Sequence, residues 1–189
     1  MFIAYLFLML AGALGAGTMI LRVVGLTDRF AFSELCALGF ALGVGAIGWT
    51  TFFLAANGSL STLSLSMMLG LMAPGLVLLV TAFRNQNLEC ASEPEPFLST
   101  FSTVRVALGI GFALVLGGDL LEGLAPPADA DSLAYHFALP KAILAEGRLF
   151  PIYQAMEGTI PLLLQMTYMV ALGTGGETTM TLWTMATGW

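Results

Sequence analysis

Long apolar runs separated by short polar breaks dominate this chain. Four of them, Phe2 to Leu21, Leu35 to Ala56, Leu63 to Phe83 and Val104 to Leu121, are continuous and approach the roughly 20 residues that cross about 30 Å of hydrocarbon as a helix. The fourth qualifies if its last turn carries Asp119 at the interface. Continuous runs predict helices and not barrel strands, whose apolar positions alternate. A fifth run, Thr159 to Leu172, is shorter and contains Pro161 and Gln165, so it is expected to be tilted, broken or protected by neighbouring helices. After Gly173-Thr174-Gly175-Gly176, the stretch Glu177 to Trp189 reads as the opening turns of another helix. Its roughly 13 residues, at 1.5 Å rise each, fall short of a crossing.

The pattern predicts an all-α, polytopic transmembrane helix bundle. Residues 1–84 form a three-helix first membrane section, and 85–103, with Pro94, Pro96 and three glutamates, form a cytoplasmic linker. Residues 104–189 form a second membrane section with an acidic outer loop at 122–158 and an incomplete last helix, so the chain looks truncated relative to a complete bundle. Small residues recur at helical spacing: Gly39 with Gly43, Ala11 with Gly15, and Gly12 with Ala16. Such faces permit close helix contact, although glycine and alanine are common in membrane helices anyway.

Composition agrees with the pattern. Apolar residues make up 58% and charged ones 10%, against about a quarter charged in an ordinary soluble domain. The net charge of −6 is concentrated in two places, Asp119 to Asp131 and Glu89 to Glu95, and offers nothing to nucleic acid. Cys36 falls in an apolar run and Cys90 in the linker; their different depths argue for two free thiols. The N-terminus lacks a basic segment before its apolar run, which is therefore a first membrane helix and not a cleaved signal. Arg22 and Arg29 follow the first run, Arg84 and Arg105 flank the linker, and the loop Asn57 to Ser61 is uncharged. Basic loops stay in the cytoplasm, which puts the N-terminus and the Asp129 region outside, with Lys141 and Arg148 counting the other way. An integral protein of the bacterial inner membrane, in contact with membrane lipids, is expected.

Ionisable groups gather after the fourth run: Asp119, Glu122, Asp129, Asp131, His136, Lys141, Glu146 and Arg148. Asp131 precedes a stretch in which Leu133, Phe137 and Leu144 share one helical face, so it reads as the N-cap of an amphipathic helix lying along the outer membrane surface. A carboxylate there faces the positive end of the helix dipole. The alternative is a plain cap at Asp131 and a solvated loop acid at Asp129. A single histidine without a second His or a Cys points to a hydrogen-bonded interface residue and no metal site, though a carboxylate with a histidine can assist a divalent ion. No phosphate-binding glycine loop, CxxC or serine-hydrolase elbow is present. Internal repeats and mid-membrane charges of a transporter are missing too.

The run Asp131-Ser-Leu-Ala-Tyr-His136, followed by Leu139-Pro140-Lys141, Gly147-Arg148 and Ile160-Pro161-Leu162, resembles the first outer loop of GT-C type polytopic glycosyltransferases. Those proteins transfer sugars from polyprenyl-phosphate carriers. The resemblance covers about Val104 to Leu172 and implies Asp131 as the key carboxylate, a catalytic base or part of a metal and acceptor site, with Asp129 as its helper. It further implies Tyr135 and His136 on the acceptor side, and Lys141 and Arg148 as cations for the donor phosphate. Here three helices precede the matched loop, whereas the family usually places it after the first span. The competing expectation is a non-catalytic transmembrane subunit, perhaps derived from such an enzyme, that packs through its glycine faces against other transmembrane subunits of a larger complex.

Overall fold

The structure, a computed structural model, describes residues 2–89, 102–125, 136–152 and 163–188. These residues form eight α-helices and no strand: α1 (Phe2–Val23), α2 (Phe32–Ala56), α3 (Thr62–Met72), α4 (Leu76–Glu89), α5 (Ser102–Leu124), α6 (Ala138–Glu146), α7 (Leu163–Gly175) and α8 (Glu177–Gly188). Four stretches are long and apolar enough to cross a membrane: α1, α2, the α3–α4 pair over Thr62–Arg84, and α5 over Val106–Leu124. The all-α bundle follows from the apolar runs as expected.

The third run is not one straight helix. Ala73-Pro74-Gly75 forms a 3-10 turn that separates α3 from α4. Pro74 lacks the amide hydrogen a regular helix would use. Gly75 lies against the Gly15 backbone of α1, so close that a Cβ there would collide with the Gly15 carbonyl. At the start of α3, Ser61 and Ser64 cap each other: the Ser61 side chain accepts from the Ser64 amide at 3.1 Å, and the Ser64 hydroxyl accepts from the Ser61 amide at 2.9 Å.

Small residues hold α1 and α2 together. A Cβ on Gly17 would strike the Gly39 carbonyl, and one on Gly43 the Ala13 carbonyl. Gly12 faces Leu69, and Gly15 faces the carbonyl of Met72. Lipid tails are as apolar as the helices, so association depends on this close approach rather than on a hydrophobic drive. The Gly39/Gly43 face is therefore spent within the chain.

Two ends of the bundle can be told apart. At one end, Thr179 donates to the Phe2 carbonyl at 3.4 Å, Thr62 to that of Gly173 at 2.9 Å, and the Leu149 amide to Ala55 at 2.9 Å. The start of α1, the α2–α3 loop, α6 and the α7–α8 turn thus share that end, and Thr181 bonded to the Gly123 carbonyl adds the end of α5. At the other end Arg22 pairs with Asp28 at 3.7 Å, and the Phe32 and Phe83 rings lie 4.7 Å apart. Arg22, Arg29 and Arg84 are thereby kept away from Lys141 and Arg148.

α7 is the centre of the molecule. Gln165 to Ala171 are all buried, and a Cβ on Gly48 of α2 would meet the Leu163 carbonyl at 2.7 Å. The expectation of a span protected by its neighbours holds for this part; the helix continues to Gly175, and Thr159 to Leu162 lie outside the described residues. α5 is the opposite case. Its long apolar side chains are exposed nearly all the way along, and it packs chiefly on α8 near Gly123.

Candidate functional site

Asp129, Asp131 and Tyr135 lie outside the described residues, so the expected N-cap at Asp131 does too. Their flanks are described. Ala125 follows the last turn of α5, with its amide bonded to the Glu122 carbonyl at 2.9 Å, and His136 leads into α6. Both flanks belong to the same end of the bundle.

α6 is amphipathic, but its apolar face has a different partner from the one expected. Phe137, Leu139, Pro140 and Ile143 are buried and Lys141, Ala145 and Glu146 are exposed. Phe137 and Ile143 join a core with Leu60, Leu65, Tyr168 and Met169, and Leu144 packs against it. The apolar face of the helix therefore packs on the bundle, chiefly on α7. Gly147 closes α6 in a left-handed conformation (φ 72°), its amide reaching Ile143 at 2.9 Å and Leu144 at 3.2 Å. From there the Gly147 carbonyl accepts from Leu60 at 3.2 Å, which ties α6 to the α2–α3 loop.

Under α6 runs a strip of polar side chains in apolar surroundings. The His136 Nδ1 lies 3.4 Å from the Gln165 Nε2, and Gln165 is only 4% exposed. The His136 and Tyr168 rings meet edge to face at 6.3 Å, and Tyr168 is hydrogen-bonded to the Thr184 side chain. Between Gln165 and Tyr168 on α7, the Thr167 hydroxyl accepts from the Trp183 indole at 2.8 Å and itself donates to the Leu164 carbonyl at 2.7 Å. Polar groups at this depth are costly unless paired. Among the described residues no buried side-chain polar atom is left without a partner.

The two cations expected to meet a phosphate are already paired. Lys141 forms an ion pair with Glu177 in the first turn of α8, and Arg148 grips Glu146 through Nε at 3.1 Å and Nη2 at 2.9 Å. All four side chains are about half exposed, so the pairs are open to exchange with another anion. Among the described residues no three His, Cys, Asp or Glu side chains converge to hold a metal ion. Comparison with known protein families, with characterised proteins and with solved structures finds no match to this chain.

The sequence brings out His136, Lys141 and Arg148, and the structure puts them at one end of the bundle, on and beside α6. It adds Gln165, Tyr168, Thr184 and Glu177. Gln165 carries a signal, as the one amide within an apolar run. The others carry none, because their roles depend on pairing across 16 residues or more.

Proposed function

We propose that this chain is a GT-C type membrane glycosyltransferase, or its N-terminal part, acting at the membrane face where α6 lies. The observation that carries the reading is the common location of Ala125, His136, Lys141 and Arg148 at one end of the bundle. Both described flanks of the segment that carries the two aspartates lie at that end, which supports a site at the depth where a lipid carrier would hold its phosphosugar. In the reaction, the Asp131 carboxylate takes the proton of an acceptor hydroxyl as that oxygen bonds to the anomeric carbon. The polyprenyl phosphate leaves with the bonding electrons and is met by Lys141 or Arg148. An unperturbed aspartate is ionised at neutral pH and serves as base once it is within about 3 Å of the hydroxyl. An apolar groove of about 700 Å³ between α1, α2 and α3, lined by Met19, Ile20, Thr50, Met67 and Leu71 among others, supports the reading as a track for an isoprenoid tail.

The test is sugar transfer from a polyprenyl-phosphate donor by the complete protein in liposomes. Asp131→Asn is expected to lower the rate by about 10²-fold or more, while Asp28→Asn at the other end leaves it unchanged. Full activity of Asp131→Asn rejects the mechanism. A second reading, a non-catalytic subunit of a larger membrane complex, is supported by the bare surface of α5. It requires no transfer by any variant, and co-purification of other membrane subunits.

A further inference from the structure

The groove between α1, α2 and α3 follows almost the whole length of the bundle. Gly43 packs on Ala13 and Gly39 on Gly17, which sets α1 and α2 antiparallel in that register. Leu54, at one limit of the lining, lies eleven residues beyond Gly43 toward the α6 end, and Val24, at the other, eleven residues beyond Ala13 toward the Arg22 end. At 1.5 Å per residue the groove extends for about 33 Å, close to the roughly 30 Å of hydrocarbon in a bilayer. Spread over that length, its volume of about 700 Å³ gives a mean cross-section of about 20 Å². A helix, about 10–12 Å across, takes several times that area, so the groove fits a single hydrocarbon chain and no helix. An ordinary phospholipid's acyl chains stay in one leaflet, about 15 Å deep, and would leave half of it unfilled.

The two ends of the groove differ. Met19, Ile20, Val23 and Val24 line it toward the Arg22 end, whereas the lining toward the α6 end includes Thr50 and Ser64. Arg22 is engaged with Thr27 at 3.4 Å and Asp28 at 3.7 Å. At the α6 end a cation stands by the mouth: a Cβ on Gly58 would lie 3.9 Å from the Arg148 Cβ, and the Leu149 amide is bonded to Ala55, next to Leu54 in the lining. The exposed pair of Arg148 with Glu146 yields to a phosphate, which offers the guanidinium two oxygens. We propose that the groove is a chain-length gauge for a long single-chain isoprenoid phosphate, which lies along it across the hydrocarbon and presents its phosphate to Arg148. A chain gains no hydrophobic free energy by leaving other lipids, so the preference comes from packing along the whole groove and from the ion pair at its end. Met67, Met68 and Met72 in the lining suit a branched chain, since unbranched thioethers adapt to irregular shapes. That this lipid is the carrier of the transferred sugar rests on the glycosyl-transfer reading; the length, width and polarity of the groove do not.

Native mass spectrometry of the full protein released from nanodiscs that contain equal amounts of two lipids reads the preference as a ratio of bound species. Undecaprenyl phosphate is expected to be retained about tenfold or more over geranyl phosphate, over uncharged undecaprenol and over dioleoyl phosphatidic acid. Ala46→Phe, which puts a ring into the lining, should abolish the preference for length and keep that for phosphate. Arg148→Gln should do the reverse, and Arg22→Gln should do neither. Equal retention of undecaprenyl phosphate and either geranyl phosphate or phosphatidic acid overturns the proposal. So does a length preference that survives Ala46→Phe, or a phosphate preference lost with Arg22→Gln and kept with Arg148→Gln. Should Ala46→Phe fail to fold, the wild-type ratios and the arginine variants still decide. Lipid retention and sugar transfer fail separately: full activity of Asp131→Asn leaves the retention ratios standing, and equal ratios leave the Asp131 mechanism standing.

Discussion

Replacing Gly43 by alanine separates helix propensity from helix contact, because Gly45, two residues away on α2, serves as an internal control. Alanine is favoured over glycine inside a helix by up to about 1 kcal/mol, and both variants share that gain. At Gly45 nothing lies within 4 Å of the added methyl. At Gly43 it would lie 2.8 Å from the Ala13 Cα, where ordinary contact begins at 3.4 Å, and would overlap the Ala13 carbonyl. The obstacle is backbone, which no rotamer change relieves, so α1 and α2 must part along a seam that also holds Gly17 against Gly39. Overpacking of this kind costs about 1–3 kcal/mol, and a chain of this size loses roughly 2–4 °C of melting temperature per kcal/mol. Gly43→Ala should therefore melt roughly 4–8 °C below wild type for a penalty near 2 kcal/mol. Gly45→Ala should melt at or above wild type. Thermal unfolding in detergent, followed by the fluorescence of Trp49 and Trp183, measures both. Equal melting of the two variants would refute the α1–α2 seam.

Two further outcomes test the polar strip and its rim. Thr167→Val leaves the buried Trp183 indole unpaired and should cost about 1–3 kcal/mol. Trp183→Phe combined with it should cost less than the sum of the single changes, and a thermal double-mutant cycle reads the coupling. Lys141→Ala and Glu177→Gln should each change stability by less than about 1 kcal/mol, as expected for an exposed pair. In the transfer assay they should act in opposite directions, Lys141→Ala raising the donor KM and Glu177→Gln lowering it by freeing the ammonium. Equal effects of both on KM would refute the proposed role of Lys141 at a donor phosphate.

The membrane-crossing helices are legible because hydropathy over 20 residues is a property of the segment itself. The break at Pro74 is not, since a hydropathy run is blind to proline, and the turn is settled by the contact of Gly75 with Gly15. Gly39 and Gly43 announce a close face, yet their partners Gly17 and Ala13 follow only from the register of two helices. The amphipathic pattern of α6 is readable in Phe137 and Leu144, but not what covers it: an apolar stripe fits a bilayer or a bundle equally well. Lys141 and Arg148 are visible as cations, and Glu146 is visible as a carboxylate two residues before Arg148, but the carboxylate partner of Lys141 is not. Glu177 stands 36 residues beyond Lys141 and becomes its neighbour only because α7 and α8 fold back to the same end.

α5 leads directly into the acidic segment and is also the helix with the least protein around it, held mainly where Gly123 meets Thr181 and Leu182. A helix so held takes its tilt from the thickness of the surrounding hydrocarbon, leaning in a thin bilayer and standing in a thick one. α6, by contrast, is bolted to α7 and the α2–α3 loop. The end of α5 thus answers to lipid chain length and the start of α6 does not, and the acyl chains chosen for reconstitution set the distance between Ala125 and His136.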